Sequence, residues 1–390
     1  MPSKFASVRP APPGAPEACL DRLVETDRLE WRLGDGGDPA EIAADFCARH
    51  DAPHTGEPGS RCGVAVLISA AAGAAMIGAP VGAPSPVPAV PDLALIAYGH
   101  GEPATGAASG AFTPGPWRWS WSPTDHAKAV AAVREAIGRG EVYQACVVGH
   151  LQAPWRGDPA AAAAAMRAIP GAAWGGVIAG EDWMVASGSP ECFLQAGHGR
   201  ASTFPIKGTA PATPTGREAL LSSVKERAEH VMIVDLERND LARVAVPGSV
   251  AVDELFAVRR WADLWQAESA VVCRTDARVG TAALLRAMCP PGSVTGTPKL
   301  AMLDLVGALE PVGRGPAMGA LGYHCDGRLR LGLTIRTAAF DPVSVHLWAG
   351  GGITWRSDPV SEVAEAAAKA AGVRRALGSA SGSSAARASV

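Results

Sequence analysis

The 390-residue chain has no phosphate-binding loop of the GxxxxGK[ST] kind, no GxGxxG fingerprint and no internal repeat. Their absence removes the common nucleotide-binding folds and the solenoids. There is no excess of basic charge. A formal net charge of −3 leaves no electrostatic footprint for nucleic acid. No CxxC pair occurs, and none of the eight cysteines (Cys19, Cys47, Cys62, Cys146, Cys192, Cys273, Cys289 and Cys325) lies beside a histidine at zinc-ligand spacing. They read as reduced, buried thiols of a cytoplasmic protein. The N-terminus, MPSKFASVRPAPPGAPEACL, lacks an apolar run after its basic residues, so it does not read as a secretory signal. From Cys62 to Val90 the chain carries no charge, but Gly and Ala dominate and Pro80, Pro84, Pro86 and Pro88 interrupt it. A buried strand or helix followed by a Pro-rich loop is expected there, not a membrane span.

What remains is globular in composition, 48% apolar and 19% charged. The length allows one large domain or two. Residues 1–16 and 378–390 read as frayed tails, the last being GSASGSSAARASV. Residues 17–120 are weakly patterned. Beyond Ser122 the signal sharpens, with a helix expected over 125–139 and a strand over 142–150. Further strands are expected at 183–186, 192–194, 329–335 and 345–348, and helices at about 216–241, 281–288, 298–309 and 359–377. Strands and helices alternate irregularly with short strand-to-strand connections, which argues for an α+β fold rich in antiparallel sheet.

Four carboxylates fall into two matching pairs. Glu226 and Glu229 are three residues apart in KERAEHVMIVDLERNDLARV, so they share a helix face beside the apolar Val231, Ile233, Val234 and Leu236. Read alone, this pair could equally be a solvated face partnered by Lys225 and Arg227. Glu362 and Glu365 repeat the spacing in SDPVSEVAEAAAKAAGV, where Ser357 or Asp358 can cap and Pro359 suits the first turn. Lys369 follows one turn later. Hard divalent cations prefer carboxylate oxygens, and two such helices could close a site for one.

Gly350, Gly351 and Gly352 precede the second helix, and their backbone could approach an anion closely or simply form a turn. Arg336 ends the strand in LTIRT, a natural fork for a carboxylate although such a residue is usually at the surface. Lys207 sits in TFPIKGTAP, stiffened by Pro205 and freed by Gly208, where the plain reading is an exposed loop lysine. Glu191 lies in GSPECFL at a turn entering an apolar strand. A lysine and a glutamate at such edges can act as nucleophile and general acid.

Taken together, GEVYQACVVGHL, SGSPECFL, TFPIKGTAPA, KERAEHVMIVDLERNDLARVAVPGSV, CPPGSVTGTPKLAMLDLVGALEPVGRGPAMGALGYHCDG, LTIRTAAF and AGGGITWRSDPVSEVAEAAAKA resemble the chorismate-utilising enzyme family, in order, over about residues 122–373. The resemblance implies a large two-sheet antiparallel β-sandwich core flanked by helices. It also implies a catalytic domain over 122–377, a variable region 1–121 packed on it, and a tail at 378–390. By position it implies that Glu226, Glu229, Glu362 and Glu365 surround Mg2+, with Lys369 nearby. Arg336, Tyr323 and the Gly350–Gly352 backbone would bind the enolpyruvyl carboxylate of chorismate, and Thr209 and Gln144 would also line the substrate. Glu191 would protonate the departing C4 hydroxyl.

Two positions sort the branches of this family. Relatives that add water to chorismate have a lysine base where this chain has Gln144, so the resemblance implies ammonia as the nucleophile. Lys207 is shared with the aminodeoxychorismate synthases, in which such a lysine is thought to attack C2 as the C4 hydroxyl leaves, before ammonia enters at C4. That role requires an unprotonated amine. Gln266 stands where the family usually has a histidine associated with aromatisation, and Ala210 and Ala212 replace family arginines. These departures keep open an anthranilate synthase large subunit and a catalytically silent, partner-binding paralogue. The sequence holds no GxCxG nucleophile elbow. The resemblance therefore implies a separate glutamine amidotransferase subunit as ammonia source, and a downstream aminodeoxychorismate lyase releasing 4-aminobenzoate for folate. No nucleic acid or membrane partner is expected.

Overall fold

The computed structural model describes residues 3–53, 57–102, 110–261 and 264–379. Its strands are β1 (Leu23–Trp31), β2 (Arg61–Ile68), β3 (Leu93–His100), β4 (Phe112–Pro114), β5 (Arg118–Trp119), β6 (Gln144–Gly157), β7 (Gly176–Ala179), β8 (Met184–Ser187) and β9 (Cys192–Gly197). They continue with β10 (Arg200–Thr203), β11 (Ile206–Pro211), β12 (Ala251–Trp261), β13 (Leu264–Arg274), β14 (Gly296–Thr297), β15 (Ala320–Cys325), β16 (Arg328–Leu333), β17 (Thr337–Phe340) and β18 (Ser344–Ile353). The helices are α1 (Pro39–His50), α2 (Ala70–Ala75), α3 (Pro123–Gly138), α4 (Pro159–Arg167), α5 (Pro214–Ser222), α6 (Val224–Ala242), α7 (Thr281–Met288), α8 (Lys299–Leu309) and α9 (Pro359–Ser379).

The strands form two antiparallel sheets. One runs β1-β3-β2-β15-β16-β9-β10-β13-β11, with β12 beside β13; the other runs β14-β6-β18-β17-β8-β7, with β4 and β5 on β6. Val64, Leu95 and Leu331 of the first sheet share one apolar core with Val148, Val185 and Ala339 of the second. The inner faces therefore pack on each other, which is the α+β sandwich that the sequence implied. A second apolar cluster lies between the other face of the eight-stranded sheet and α4 and α9, and a third lies under α3 and α8.

Residues before 121 are not a separate layer: β1, β2 and β3 extend the ten-stranded sheet from β15. Their weak sequence pattern has a physical cause. All eight residues of β3 and seven of eight in β2 are buried, so both faces are apolar and the polar–apolar alternation of a half-exposed strand is missing. The uncharged stretch from Cys62 becomes β2, α2 and a Pro-rich loop, and no helix among the described residues is long and apolar enough to cross a membrane.

Two expected elements change. The helix expected over 216–241 is α5 and α6, divided at Ser223, whose extended backbone lets its Oγ accept from Glu226 N at 3.2 Å. The hairpin of β12 and β13 was not expected, because the alternation of β12 is blurred by Asp253, Glu254, Arg259 and Arg260 along its sequence. At α9, Asp358 takes the cap and accepts from Ser361 N at 2.9 Å. The helix runs to Ser379, past the expected start of the tail, whose remaining residues 380–390 lie outside the described ones.

Candidate active site

Lys207 is positioned by a bulge. The pairing of β11 with β13 loses register between Ile206 and Thr209, and an extra residue of this kind turns its side chain out of the ladder. Gly208 holds φ +81°, and a Cβ there would stand 2.7 Å from Leu220 Cδ1 and 3.2 Å from Glu226 Oε2. Glycine thus satisfies both the backbone and the space. Lys207 Nζ donates to Ser293 O at 3.3 Å, and Ser293 Oγ donates to Glu191 Oε1 at 2.8 Å. One serine therefore connects the lysine to the glutamate. Glu191 is buried at the entry to β9, and burial lifts its carboxyl to about 7 against the opposing pull of Lys207 and Ser293. At neutral pH it can both hold and release a proton.

The two glutamate pairs lie on α6 and α9, and Glu229 of the first pair senses the charge of Glu362 of the second. Burial raises the Glu229 carboxyl, and the charges of Glu226 on its own helix and Glu362 on α9 raise it further, while Lys225 and Lys207 oppose them. Burial also acts on Glu365, but Lys369, Lys225 and Lys207 prevail and hold it below the usual range. Lys369 Nζ lies 2.7 Å from Glu365 Oε1 and donates to Gly350 O at 2.9 Å. Lys225 reaches Glu229 at 3.8 Å. Among the described residues the four carboxylates do not bring three oxygens within 4.8 Å of one another. Gathered like charges of this kind suit a hard divalent cation that keeps waters and takes further oxygens from a ligand.

Gly350, Gly351 and Gly352 are not the turn or pre-helical loop that the sequence allowed. They lie inside β18, in register with Val148, Val147 and Cys146 of β6. Each glycine faces a different neighbour. A Cβ would meet Val147 O at 1.9 Å from position 350, Glu362 Oε2 at 3.1 Å from 351, and Gln144 Nε2 at 2.1 Å from 352. The Gly350 carbonyl, taken by Lys369, points away from β6, and alternation turns the N–H and C=O of Gly352 to that same side. Gln144 is buried against this strand, with its Oε1 unpartnered among the described residues.

Arg336 lies between β16 and β17 with φ +48°. Its guanidinium is half-buried, senses Glu191, and among the described residues makes no hydrogen bond or ion pair. A cation withdrawn from water with an empty fork is a receptor for a carboxylate. Thr209 is exposed on β11 opposite Gln266, which is buried with its own Oε1 unpartnered. Tyr323 is a correction. It lies in mid-strand opposite Ala65 and Arg330, fully buried, with its hydroxyl against the Cys62 thiol and not beside Arg336. Alternation along β15 sends this ring into the interior of the ten-stranded sheet.

Sequence reasoning missed Ser293, because its contacts depend on the fold of the Gly292–Val294 turn. It also missed the buried set at the end of α6. Burial lifts Glu237 to about 8, the neighbouring Asp240 adds to the shift, and Lys299 Nζ holds Asp240 at 2.8 Å. The spacing of Glu237 and Asp240, again three residues, was visible but had no partner in sequence to give it meaning.

A profile of the chorismate binding enzyme family matches residues 90–375. The chain belongs to this family. It is 36% identical over 273 residues to an aminodeoxychorismate synthase of Streptomyces griseus, covering 68% of this chain and 38% of that protein. It is 36% identical over 257 residues to aminodeoxychorismate synthase component 1 of Klebsiella aerogenes, covering 64% and 57%. Anthranilate synthase component 1 of Synechocystis is 34% identical over 265 residues, covering 64% and 52%. The chain thus spans about two-fifths to three-fifths of these relatives. Among solved structures, anthranilate synthase component I from Streptococcus pneumoniae superposes with a TM-score of 0.77 at 20% identity, over 90% of this chain and 92% of that one. The menaquinone-specific isochorismate synthase MenF of Escherichia coli gives 0.63 at 17% identity, over 96% and 97%. At these identities they establish the chorismate-utilising fold.

Proposed function

We propose that the chain aminates chorismate at C4, using ammonia from a glutamine amidotransferase partner, and forms 4-amino-4-deoxychorismate. The observation that carries this reading is the linkage of Lys207 to Glu191 through Ser293. It brings an amine and a half-protonated carboxyl to one place, opposite the unpaired Arg336. Relatives named aminodeoxychorismate synthase support it.

The fork of Arg336 and the Gly350–Gly352 backbone, which runs past the residues of β18 paired with β17, hold the enolpyruvyl carboxylate. Glu226, Glu229, Glu362 and Glu365 would hold Mg2+, which when bound supplies positive charge to the ring carboxylate. Lys207 Nζ, unprotonated, forms a bond to C2 as the ring double bond shifts and the C4–oxygen bond breaks. Glu191 gives its proton to the departing oxygen, which leaves as water. Ammonia then bonds to C4, the double bond returns, and Lys207 is released with its electron pair. Thr209 and Gln144 line the ring, and Lys369 holds Glu365 and the Gly350 carbonyl in place. The product keeps its enolpyruvyl group, so a separate lyase is needed to give 4-aminobenzoate for folate synthesis.

The test is Lys207→Ala, assayed with chorismate, Mg2+ and ammonium. The wild type forms aminodeoxychorismate and the variant loses at least about a hundredfold in kcat, the scale of a lost nucleophile or proton-transfer group. Equal turnover by the variant overturns the lysine step. Fluorescent anthranilate, formed directly by the wild type without a lyase, overturns the C4 assignment.

A further inference from the structure

A second cluster of reactive side chains lies away from the glutamates. Cys19 stands in the short 3-10 turn Glu17–Cys19, Cys62 near the start of β2, and His100 at the end of β3. They are 1%, 0% and 3% exposed. One ligand atom from each falls within 4.8 Å of the other two. Eighty-one residues separate Cys19 from His100, so the grouping could not be seen as a sequence motif.

Two features of the local structure aim these groups at one another. The pairing of β2 with β3 shifts between Arg61 and Gly63, so Cys62 is the extra residue of a bulge and is turned out of the regular alternation. The histidine is held by its far nitrogen. Ser60 Oγ gives its proton to Glu57 O at 2.6 Å and lies 2.9 Å from His100 Nδ1. The serine can therefore only accept from the ring, which places the proton on Nδ1. Nε2 is left with a lone pair, directed at Cys19 Sγ 3.1 Å away. Metal-binding histidines are oriented in this way, by donating their other N–H to a fixed acceptor.

Tyr323 completes the enclosure. Its hydroxyl is buried, has no conventional hydrogen-bond partner among the described residues, and lies against the Cys62 thiol. Gly63 makes room for it, since a Cβ there would stand 2.7 Å from Tyr323 Cε1 and 2.8 Å from Cys325 Cβ. Two sulfurs and an imidazole nitrogen are the donors of a borderline-soft cation such as zinc, whereas the glutamate site offers only hard oxygens.

We propose that Cys19, Cys62 and His100 form a structural site for a zinc-class divalent cation, with Tyr323 Oη facing the fourth position. Two metal–sulfur bonds and one metal–nitrogen bond form, and the two thiol protons leave to solvent. The ion ties the segment before β1 to the ends of β2 and β3. The site is independent of the reaction proposed above.

The test is a Co2+ titration of the full-length chain, reduced, stripped with chelator and kept in excess Mg2+ to fill the carboxylate site. One equivalent of Co2+ should develop a thiolate-to-metal charge-transfer band, which carboxylate ligands cannot give, and Zn2+ should abolish it. Cys19→Ser and Cys62→Ser should each lose the band while keeping the wild-type circular dichroism spectrum. Zn2+ should also raise the melting temperature of the wild type. No band in the wild type at saturating Co2+, a band that survives both substitutions, or a Cys19–Cys62 disulfide as the form isolated under reducing conditions would overturn the proposal. Because the wild-type titration decides by itself, a variant that fails to fold does not protect the idea.

Discussion

Glu191 shows how one residue's surroundings set its chemistry. Burial pushes its carboxyl to about 7, while Lys207 and Ser293 restrain the shift. The group is therefore protonated below about pH 7 and ionised above it, and the proposed work as an acid needs the protonated form. log kcat/KM for chorismate, measured at constant free ammonia, should lose about one unit of slope against pH on an alkaline limb that begins near 7, because that profile reports the free enzyme. Glu191→Gln should lose about 10²–10⁴-fold in kcat and lose this limb as well. An unchanged alkaline limb in the glutamine variant would assign it to another group. At this scale the sequence was legible where a side chain announces its own chemistry: Glu191 and Lys207 were both candidates. Ser293 was not, since a serine acquires meaning only from the two groups that the Gly292–Val294 turn brings to it. Tyr323 shows the opposite error, because it was carried over by position although alternation along β15 turns it into the core.

Single elements carry the site's precision. The triple glycine was expected as a loop, because glycine is read by default as a turn residue. Here it serves close packing inside a strand, and only the contacts of α9 and β6 reveal this. Gly351→Ala would place a methyl 3.1 Å from Glu362 Oε2 and 3.7 Å from Lys369 Nζ. The fold should survive, since both neighbours are side-chain ends, but Glu362 must move. The Mg2+ concentration giving half-maximal rate should rise roughly tenfold, equivalent to ~1.4 kcal/mol; an unchanged Mg2+ dependence would remove Glu362 from the proposed metal set. Arg314 anchors the other side. It binds Glu310 through two bonds of 2.7 and 2.8 Å and donates to Val294 O and Cys146 O, tying the end of α8 to the Ser293 turn and to β6. Arg314→Met would leave Glu310 buried without its cation. The expected cost is about 3–5 kcal/mol in denaturant-unfolding stability. Retained stability would show that water or Val148 N satisfies Glu310 unaided. Neither residue was singled out in sequence, where Glu310 and Arg314 look like an ordinary surface pair four apart.

The whole molecule brings groups from both sheets to one end of the sandwich. Glu191 and Lys207 come from the ten-stranded sheet, Gln144 and the glycine strand from the eight-stranded one, and α6 and α9 supply the carboxylates. Fold class was legible because motif order and short strand connections survive in the chain. β2 and β3 were not, because strands buried on both faces carry no period. The same architecture bears on the ammonia supply. The proposed amination needs free ammonia at C4, and the sequence carries no GxCxG elbow to release it from glutamine. Ammonium alone should therefore support turnover, and glutamine alone should not until an amidotransferase subunit is added. With total ammonium fixed, the rate should climb with pH as free ammonia increases, then climb less steeply where Glu191 loses its proton near pH 7. Opposed slopes of this kind separate nucleophile supply from acid catalysis in one titration. Glutamine-dependent turnover by the chain alone would place an amidotransferase within it. Isochorismate in place of an aminated product would show that water, not ammonia, reaches the ring despite Gln144.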